Sequence, residues 1–362
     1  MLIDVPLRHT FWATGFALCL AATAVAQADN HAGFGDELAA YSAPKVTESM
    51  LLDGARNAQR LIVVGEHGHI VLSDDDGASW AQAESPTRSA LTGVTLIDGG
   101  IGFAVGHDAV ILRTTDGGSA WERVHFDPDL QTPLLDVWFA DAQRGFAVGA
   151  YGLFLETSDG GDTWARRPFF SEPLPLAEGE EPAEDGDTDD FDEDYVDPEY
   201  GEDFHLNHIT AAADGTLYIA AEAGHYYRSD NAGATWYRLA PPYNGSFFGT
   251  LPLDGDSLLL FGMRGNLFLS DDKGLTYFAI ETGVEALLTA GIRENDGRVV
   301  LVGLAGTVLE SADGGRSFEL HRQEDRRGNM MVLPGGGTGI VLIGESGVNR
   351  LTESAYRAGG KP

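Results

Sequence analysis

Six acidic or amide side chains recur with fixed company: Asp75, Asp116, Asp159, Asn231, Asp272 and Asp313. Each lies two residues after a Ser or Thr and five before an aromatic residue, in turn Trp80, Trp121, Trp164, Trp236, Tyr277 and Phe318. Carboxylates at such regular spacing could serve catalysis or calcium. Their constant neighbours, a hydroxyl at the first position and a glycine at the fifth, suit a tight turn instead. There the carboxylate accepts turn amides, glycine takes a positive φ, and the aromatic ring packs behind. These Asp boxes are read as structural, neither catalytic nor metal-binding. A second group, Glu66, His67, His107 and Asp108, has the right ligand types to approach a common metal. Solvated turn residues, or the rim of a partner site, are the other readings. A third group is the run from Glu184 to Tyr195, where Asp185, Asp187 and Asp189 resemble the start of a calcium loop. Asp190 stands where such a loop needs glycine and Val196 where it needs glutamate, so the match is poor.

The boxes also reveal the scaffold that must position these groups. They step along the chain by 41, 43, 72, 41 and 41 residues, and an acidic insertion explains the long step. A period near 41 is that of a repeat of four-stranded units. Within each unit a β-rich run such as residues 145 to 149 is joined by a short glycine-bounded turn to a second run such as 153 to 157. An apolar run precedes this hairpin and another strand follows the box aromatic, making strands A to D. Such units bury their faces only by stacking on neighbours, which a ring achieves. Six boxes close six units, and residues 329 to 333, 339 to 344 and 348 to 352 supply three strands of a seventh. The expected fold is all-β, a seven-bladed β-propeller over 39–354, with residues 39 to 47 supplying the missing D strand and latching the ring. Alternating strand direction puts all seven B–C turns on one face, with the D–A connections and opposite the boxes. The candidate partner-binding residues there are Glu66, His67, His107, Asp108, Tyr151, Glu222, Arg264 and Glu345. Binding residues commonly sit on such scaffold loops.

Composition narrows the function classes. The net charge is −33, from 56 acidic and 23 basic residues, opposite to what nucleic acid requires. Residues 172–203 hold 16 Asp and Glu and no Lys or Arg, so this insertion between blades three and four is read as disordered and solvating. A basic partner or weak calcium remains open there, with Asp187, Asp189, Phe191 and Tyr195 as contact residues. Residues 1–28 resemble a signal peptide: Arg8 precedes an apolar run from Phe11 to Val25, and small residues suit cleavage after Ala26 or Ala28. The expected location is the periplasm or outside the cell, with no direct membrane span after cleavage. The only cysteine, Cys19, lies inside that run, so the mature chain has no thiol chemistry.

The Val-Gly-x-x-Gly hairpin followed by Thr-Ser-Asp-Gly-Gly-Asp-Thr-Trp at 157 to 164 resembles the photosystem II stability/assembly factor propeller family. That family belongs to the broader BNR, or Asp-box, group shared with sialidases. The resemblance implies a non-catalytic, cofactor-free protein that binds a protein partner. We expect an assembly or stability factor for an envelope or membrane complex, engaging a basic surface on one of its components. The alternatives are a sialidase-like glycan-active enzyme, which needs an arginine cluster at the channel, and a glycan-binding adhesion module. Arg113 and Arg228 occupy equivalent repeat positions, which accounts for them without a glycan site.

Overall fold

The computed structural model describes residues 39–57, 60–98, 100–175 and 201–358. Seven sheets follow one another along the chain, the first six with antiparallel strands in the order A-B-C-D and the seventh with A-B-C alone. Blade one has Leu51–Asn57, Arg60–Gly65, Ile70–Ser73 and Ala81–Gln82. Blade three has Leu134–Phe139, Gly145–Gly149, Phe154–Thr157 and Ala165–Arg166. The protein is a seven-bladed β-propeller, as its repeat predicts.

The B strands explain why the ring holds. Gly145–Gly149, Leu217–Ala221 and Leu258–Gly262 are buried at every residue, because each strand is covered on both faces by neighbouring blades. Their sequences are accordingly continuous apolar runs rather than alternating ones. Between blades one and two, Ile62, Val64 and Ile70 meet Val94, Ala104 and Leu112. The box aromatic closes such a seam from outside: Trp121 joins this cluster, Trp164 the next, and Trp236 the one after.

The box turn aims that ring. In blade one Ser73 Oγ donates to Asp75 Oδ1 at 2.9 Å and accepts Gly77 N at 2.9 Å. Asp75 Oδ1 accepts Ser79 N at 2.8 Å and its Oδ2 accepts Ser79 Oγ at 2.6 Å. These bonds, the Ser79 hydroxyl foremost, hold the Asp75 carboxyl down at about 2. In blade four Asn231 Oδ1 accepts Thr235 N at 2.9 Å, so the turn needs an acceptor there and no charge. The fifth-position glycine faces the preceding blade: a Cβ on Gly161 (φ +81°) would lie 2.4 Å from Phe103 Cε1.

Blade seven corrects one expectation. Its sheet has three strands, Asn329–Pro334, Ile340–Gly344 and Gly347–Leu351, and no strand forms over residues 39 to 47. Residues 39 to 43 bind blade one instead. Ala43 N donates to Gln82 Oε1, Gln82 Nε2 to Tyr41 O, and Ala40 N to Ser85 O. With its backbone committed to blade one, the segment cannot form the outer strand of blade seven. The ring closes by face packing, in which Val46, Leu51, Leu61 and Val63 meet Leu333, Val341 and Ile343. Leu351, paired with Ile340 as Ser73 is with Leu61, stands where a box hydroxyl would, and the next residue, Thr352, caps the short helix Glu353–Arg357. Tyr356 of that helix is fully buried between blades six and seven, in the role of the box aromatic. Burying such a side chain is worth about 1.5–3 kcal/mol.

Every A strand carries a β-bulge at the same place, two residues in, so that Leu52, Thr92, Leu135, Asn207, Phe248, Thr289 and Met330 are the extra residues. The bulge turns side chains toward the next blade around the channel. Thr92 Oγ1 donates to Leu134 O (2.6 Å), Asn207 Nδ2 to Phe247 O (2.8 Å), and Thr289 Oγ1 to Asn329 O (2.8 Å). Carboxyls do the same from blades one and three: Asp53 Oδ2 accepts Val94 N at 2.7 Å and Asp136 Oδ2 accepts Ile209 N at 2.9 Å. Burial, then the neighbouring Asp136 charge, pushes Asp53 up to about 7; burial raises Asp136 to about 7 as well.

Two predictions test this architecture. Gly161→Ala adds a clash with Phe103 to positive-φ strain and should cost about 2 kcal/mol or more in urea unfolding. Gly314→Ala, also at positive φ (+72°) but with nothing within 4 Å, should cost less. Asp136 stabilises the fold while protonated, because its folded pKa lies above the unfolded value. That stabilisation is complete below about pH 4 and is lost as pH rises through about 7. Asp136→Asn keeps the acceptor without the ionisation, so it should raise stability by on the order of 2 kcal/mol at pH 8 and change little at pH 4. Thermal unfolding across that range reads both ends.

Candidate functional site

The B–C turns are clipped to the start of their own A strand. The amide of the first turn residue donates to a carbonyl there in every blade, as Glu66 N does to Met50 O (3.1 Å) and His107 N to Ala90 O (2.9 Å). Three first residues are glutamates, and each returns the bond: Glu66 accepts Met50 N (3.1 Å), Glu222 His205 N (2.8 Å), and Glu345 Gly328 N (3.1 Å). Glu66, Glu222 and Glu345 therefore spend one oxygen as clamps. The D–A connection runs directly beneath: a Cβ on Gly68 would lie 2.0 Å from Thr87 O, and one on Gly265 2.1 Å from Val284 O. The boxes pair with the A–B turns instead, Gly117 N donating to Gly100 O and Gly160 N to Gln143 O. The two turn sets thus define opposite faces.

The second turn residue is left-handed in six blades: His67, Asp108, Tyr151, Ala223, Arg264 and Ala305 all have φ between 53° and 60°. Tyr151 is 63% exposed, Met263 beside Arg264 43%, and the His67 side chain 70%. Asp108 Oδ2 accepts Ser89 Oγ at 2.6 Å, which holds it over the connection from blade one. His67 sits edge-on to His69 at 5.9 Å, and burial, then His67, lowers the His69 pKa. His67 and His107 do not become a metal centre: among the described residues no group of three or more His, Cys, Asp or Glu could hold an ion.

The structure joins residues of blades three and four that no motif marks. Tyr151 stands edge-on to His205 at 4.7 Å, and His205 Nδ1 lies 3.8 Å from Glu222 Oε2. His205 went unnoticed in the sequence because it ends an irregular connection just before a strand. The roots of the acidic insertion are anchored here. Glu172–Pro173 pairs parallel with the D strand of blade four as a fifth strand, and Phe169 bridges Gly201. Glu202 accepts Ser171 N at 2.8 Å and Tyr227 Oη at 2.5 Å, and Gly152 N donates to Phe204 O at 2.9 Å. Both roots therefore lie beside the turn of Tyr151. Asp187, Asp189, Phe191 and Tyr195 lie outside the described residues.

The channel is the second candidate. Its cavity of about 440 Å³ is walled by A strands and carries Asp53, Asp136 and His208, whose pKa burial lowers to about 4. His208 Nε2 is 3.8 Å from Asp136 Oδ2. Among the described lining residues there is no Arg or Lys, so the arginine cluster required for a sialidase-like centre is not present there. Arg113 and Arg228 serve the seams: each guanidinium donates to a carbonyl in the next blade's box turn, Gly160 O at 3.1 Å and Lys273 O at 3.2 Å.

Comparison with known proteins agrees with the repeat. The family model described as photosynthesis system II assembly factor YCF48 matches residues 44–133 and 127–181. Among solved structures, "YCF48 bound to D1 peptide" is similar over 86% of this chain and 94% of its own, with 16% identity and a TM-score of 0.62. YCF48 from Cyanidioschyzon merolae is similar over 85% and 96%, at 15% identity and a TM-score of 0.61. The WD40 β-propeller domain of Doa1 reaches the same TM-score at 12% identity, so ring similarity by itself speaks only for the fold. No curated protein matches the sequence. Among the described residues no helix is long and apolar enough to cross a membrane. Over residues 44–181 the repeat is thus similar to that of the photosystem II assembly factor family, and the similar solved structures share the ring that the repeat builds.

Proposed function

We propose that this chain is an exported, non-catalytic assembly or stability factor that binds a basic surface on a component of an envelope membrane complex. Binding would use the B–C turn face and the acidic insertion rooted beside it. The observation that carries this reading is the left-handed second turn residue. Glycine would adopt that φ without steric cost, yet His67, Asp108, Tyr151 and Arg264 present larger side chains there. Two further features support it. The similar solved structure is of a propeller with a bound peptide, and the charge of −33 favours a cationic partner.

The test is affinity capture from the native cell envelope, comparing the intact protein with a variant lacking residues 176–200. This deletion spares the fifth strand and the Glu202 anchor. One membrane complex should be recovered by the intact chain, weakly by the deletion variant, and less at 0.5 M salt than at about 0.1 M, where screening is weaker. Equal, salt-independent recovery by both proteins would refute the reading. Separately, Tyr151→Ala should reduce capture about tenfold while leaving the urea midpoint unchanged, because an exposed aromatic anchor contributes to binding and not to the core.

A further inference from the structure

The seven seams are not equivalent. On each C strand, one residue opposite the middle of strand B faces the preceding blade and fills the seam. The pairs are Val63↔Val71, Ala104↔Leu112, Ala147↔Leu155, Ile219↔Tyr227, Leu260↔Phe268 and Leu301↔Leu309. All six C-strand residues are buried in a core cluster. In blade seven the pair is Leu342↔Asn349, so an amide stands where the others have an apolar group. Its B–C turn is also shorter, with Gly344 paired directly to Gly347. The position of His69, Val110, Leu153, His225 and Thr307, all buried, is held there by Gly347, which has no side chain to fill the seam. Finally, the connection into most seams supplies an apolar plug, such as Val46, Leu130, Phe169, Tyr243 or Val284. The connection into blade seven supplies Gln323, Glu324 and Asp325.

These omissions leave a pocket of about 380 Å³ between blades six and seven, opening beside the turn residues Ser346 and Gly347. That volume lies in the ~300–1,000 Å³ range of small-ligand sites. Gln323 lines it and is only 5% exposed. Its Nε2 donates to Tyr356 O at 3.1 Å, which fixes the amide orientation. Oε1 is then a buried acceptor without a hydrogen-bond partner. Buried acceptors are rarely left so, and the group that answers one must bring a donor.

We infer that this seam pocket is a receptor for one arginine side chain of a partner protein. A guanidinium presents donors in a planar fork, so one edge can serve Gln323 Oε1 while another reaches a rim carboxylate. The rim carries Glu324 and Asp325 against a single guanidinium, Arg327. The apolar stem of the incoming arginine would cover Leu342, and Asn349 supplies a further polar contact beside it. The pocket opens on the turn face, so its assignment to a protein partner rests on the function proposed above, whereas its chemistry does not.

The experiment is a calorimetric titration of the full chain with N-acetyl-Gly-Arg-Gly-amide, alongside the citrulline peptide, which keeps the shape and loses the charge. Saturable binding of the arginine peptide is expected, at least tenfold tighter than citrulline. Asn349→Leu restores the apolar residue of the other six seams, so it should raise the melting temperature and abolish binding. Asp325→Asn should weaken binding several-fold without changing stability. Absence of saturable binding, equal affinity for citrulline, or undiminished binding by Asn349→Leu would each overturn the inference. Envelope capture run with Asn349→Leu separates the two proposals. If the arginine peptide fails while salt-sensitive capture by the wild-type chain persists, the seam receptor is wrong and the assembly role stands.

Discussion

A four-stranded blade has two apolar faces and no means of covering either, and the molecule is organised around that constraint. Each seam must be filled from both sides by strands at least forty residues apart in the sequence, and at the closing seam by the two ends of the ring. Apolar burial contributes about 25 cal/mol per Å², so a seam of ten or so buried side chains far outweighs the roughly 1 kcal/mol of any polar link across it. The hydrogen bonds around the channel therefore add little to cohesion. Their effect is on register, since each joins a residue in or just after the bulge to one particular backbone group of the next blade.

The same constraint explains the Asp box. The turn it builds places a glycine close against the preceding blade and drops an aromatic ring into the outer end of the seam. Carboxylate, hydroxyl and glycine serve that placement together, and Asn231 shows that the charge is dispensable to it. Where the box is absent, after Leu351, the slot is filled by Tyr356 from a helix. Arg298, Glu310 and Arg357 gather around that tyrosine, with Arg357 Nε donating to Glu310 Oε2 at 2.9 Å. The need for a filled seam persists while the device that meets it changes.

Because the seams are satisfied by strands, the two turn faces are free to vary, and they do so unequally. The box face repeats its residues because they aim the packing. The B–C face keeps only its backbone clip and left-handed position, and its side chains differ from blade to blade. Three glutamates there turned out to be clamps, which residue type and spacing could not reveal. Their bond is to the amide ahead of a strand sixteen or seventeen residues earlier in the chain.

What could be read along the chain was whatever repeats. Blade number, strand order, the turn chemistry of Asp75 and its equivalents, and the grouping of turns into two faces all follow from a period, and a period is a local property. Closure was not legible, because a ring joins ends that no local pattern relates. The segment at 39 to 47 has strand-like composition, yet its partners Gln82 and Ser85 belong to blade one. The raised carboxyls of Asp53 and Asp136, the trio of Tyr151, His205 and Glu222, and the gap beside Asn349 were equally hidden. Each depends on which residues adjacent blades bring face to face and on how much water they exclude, and only the assembled ring settles both.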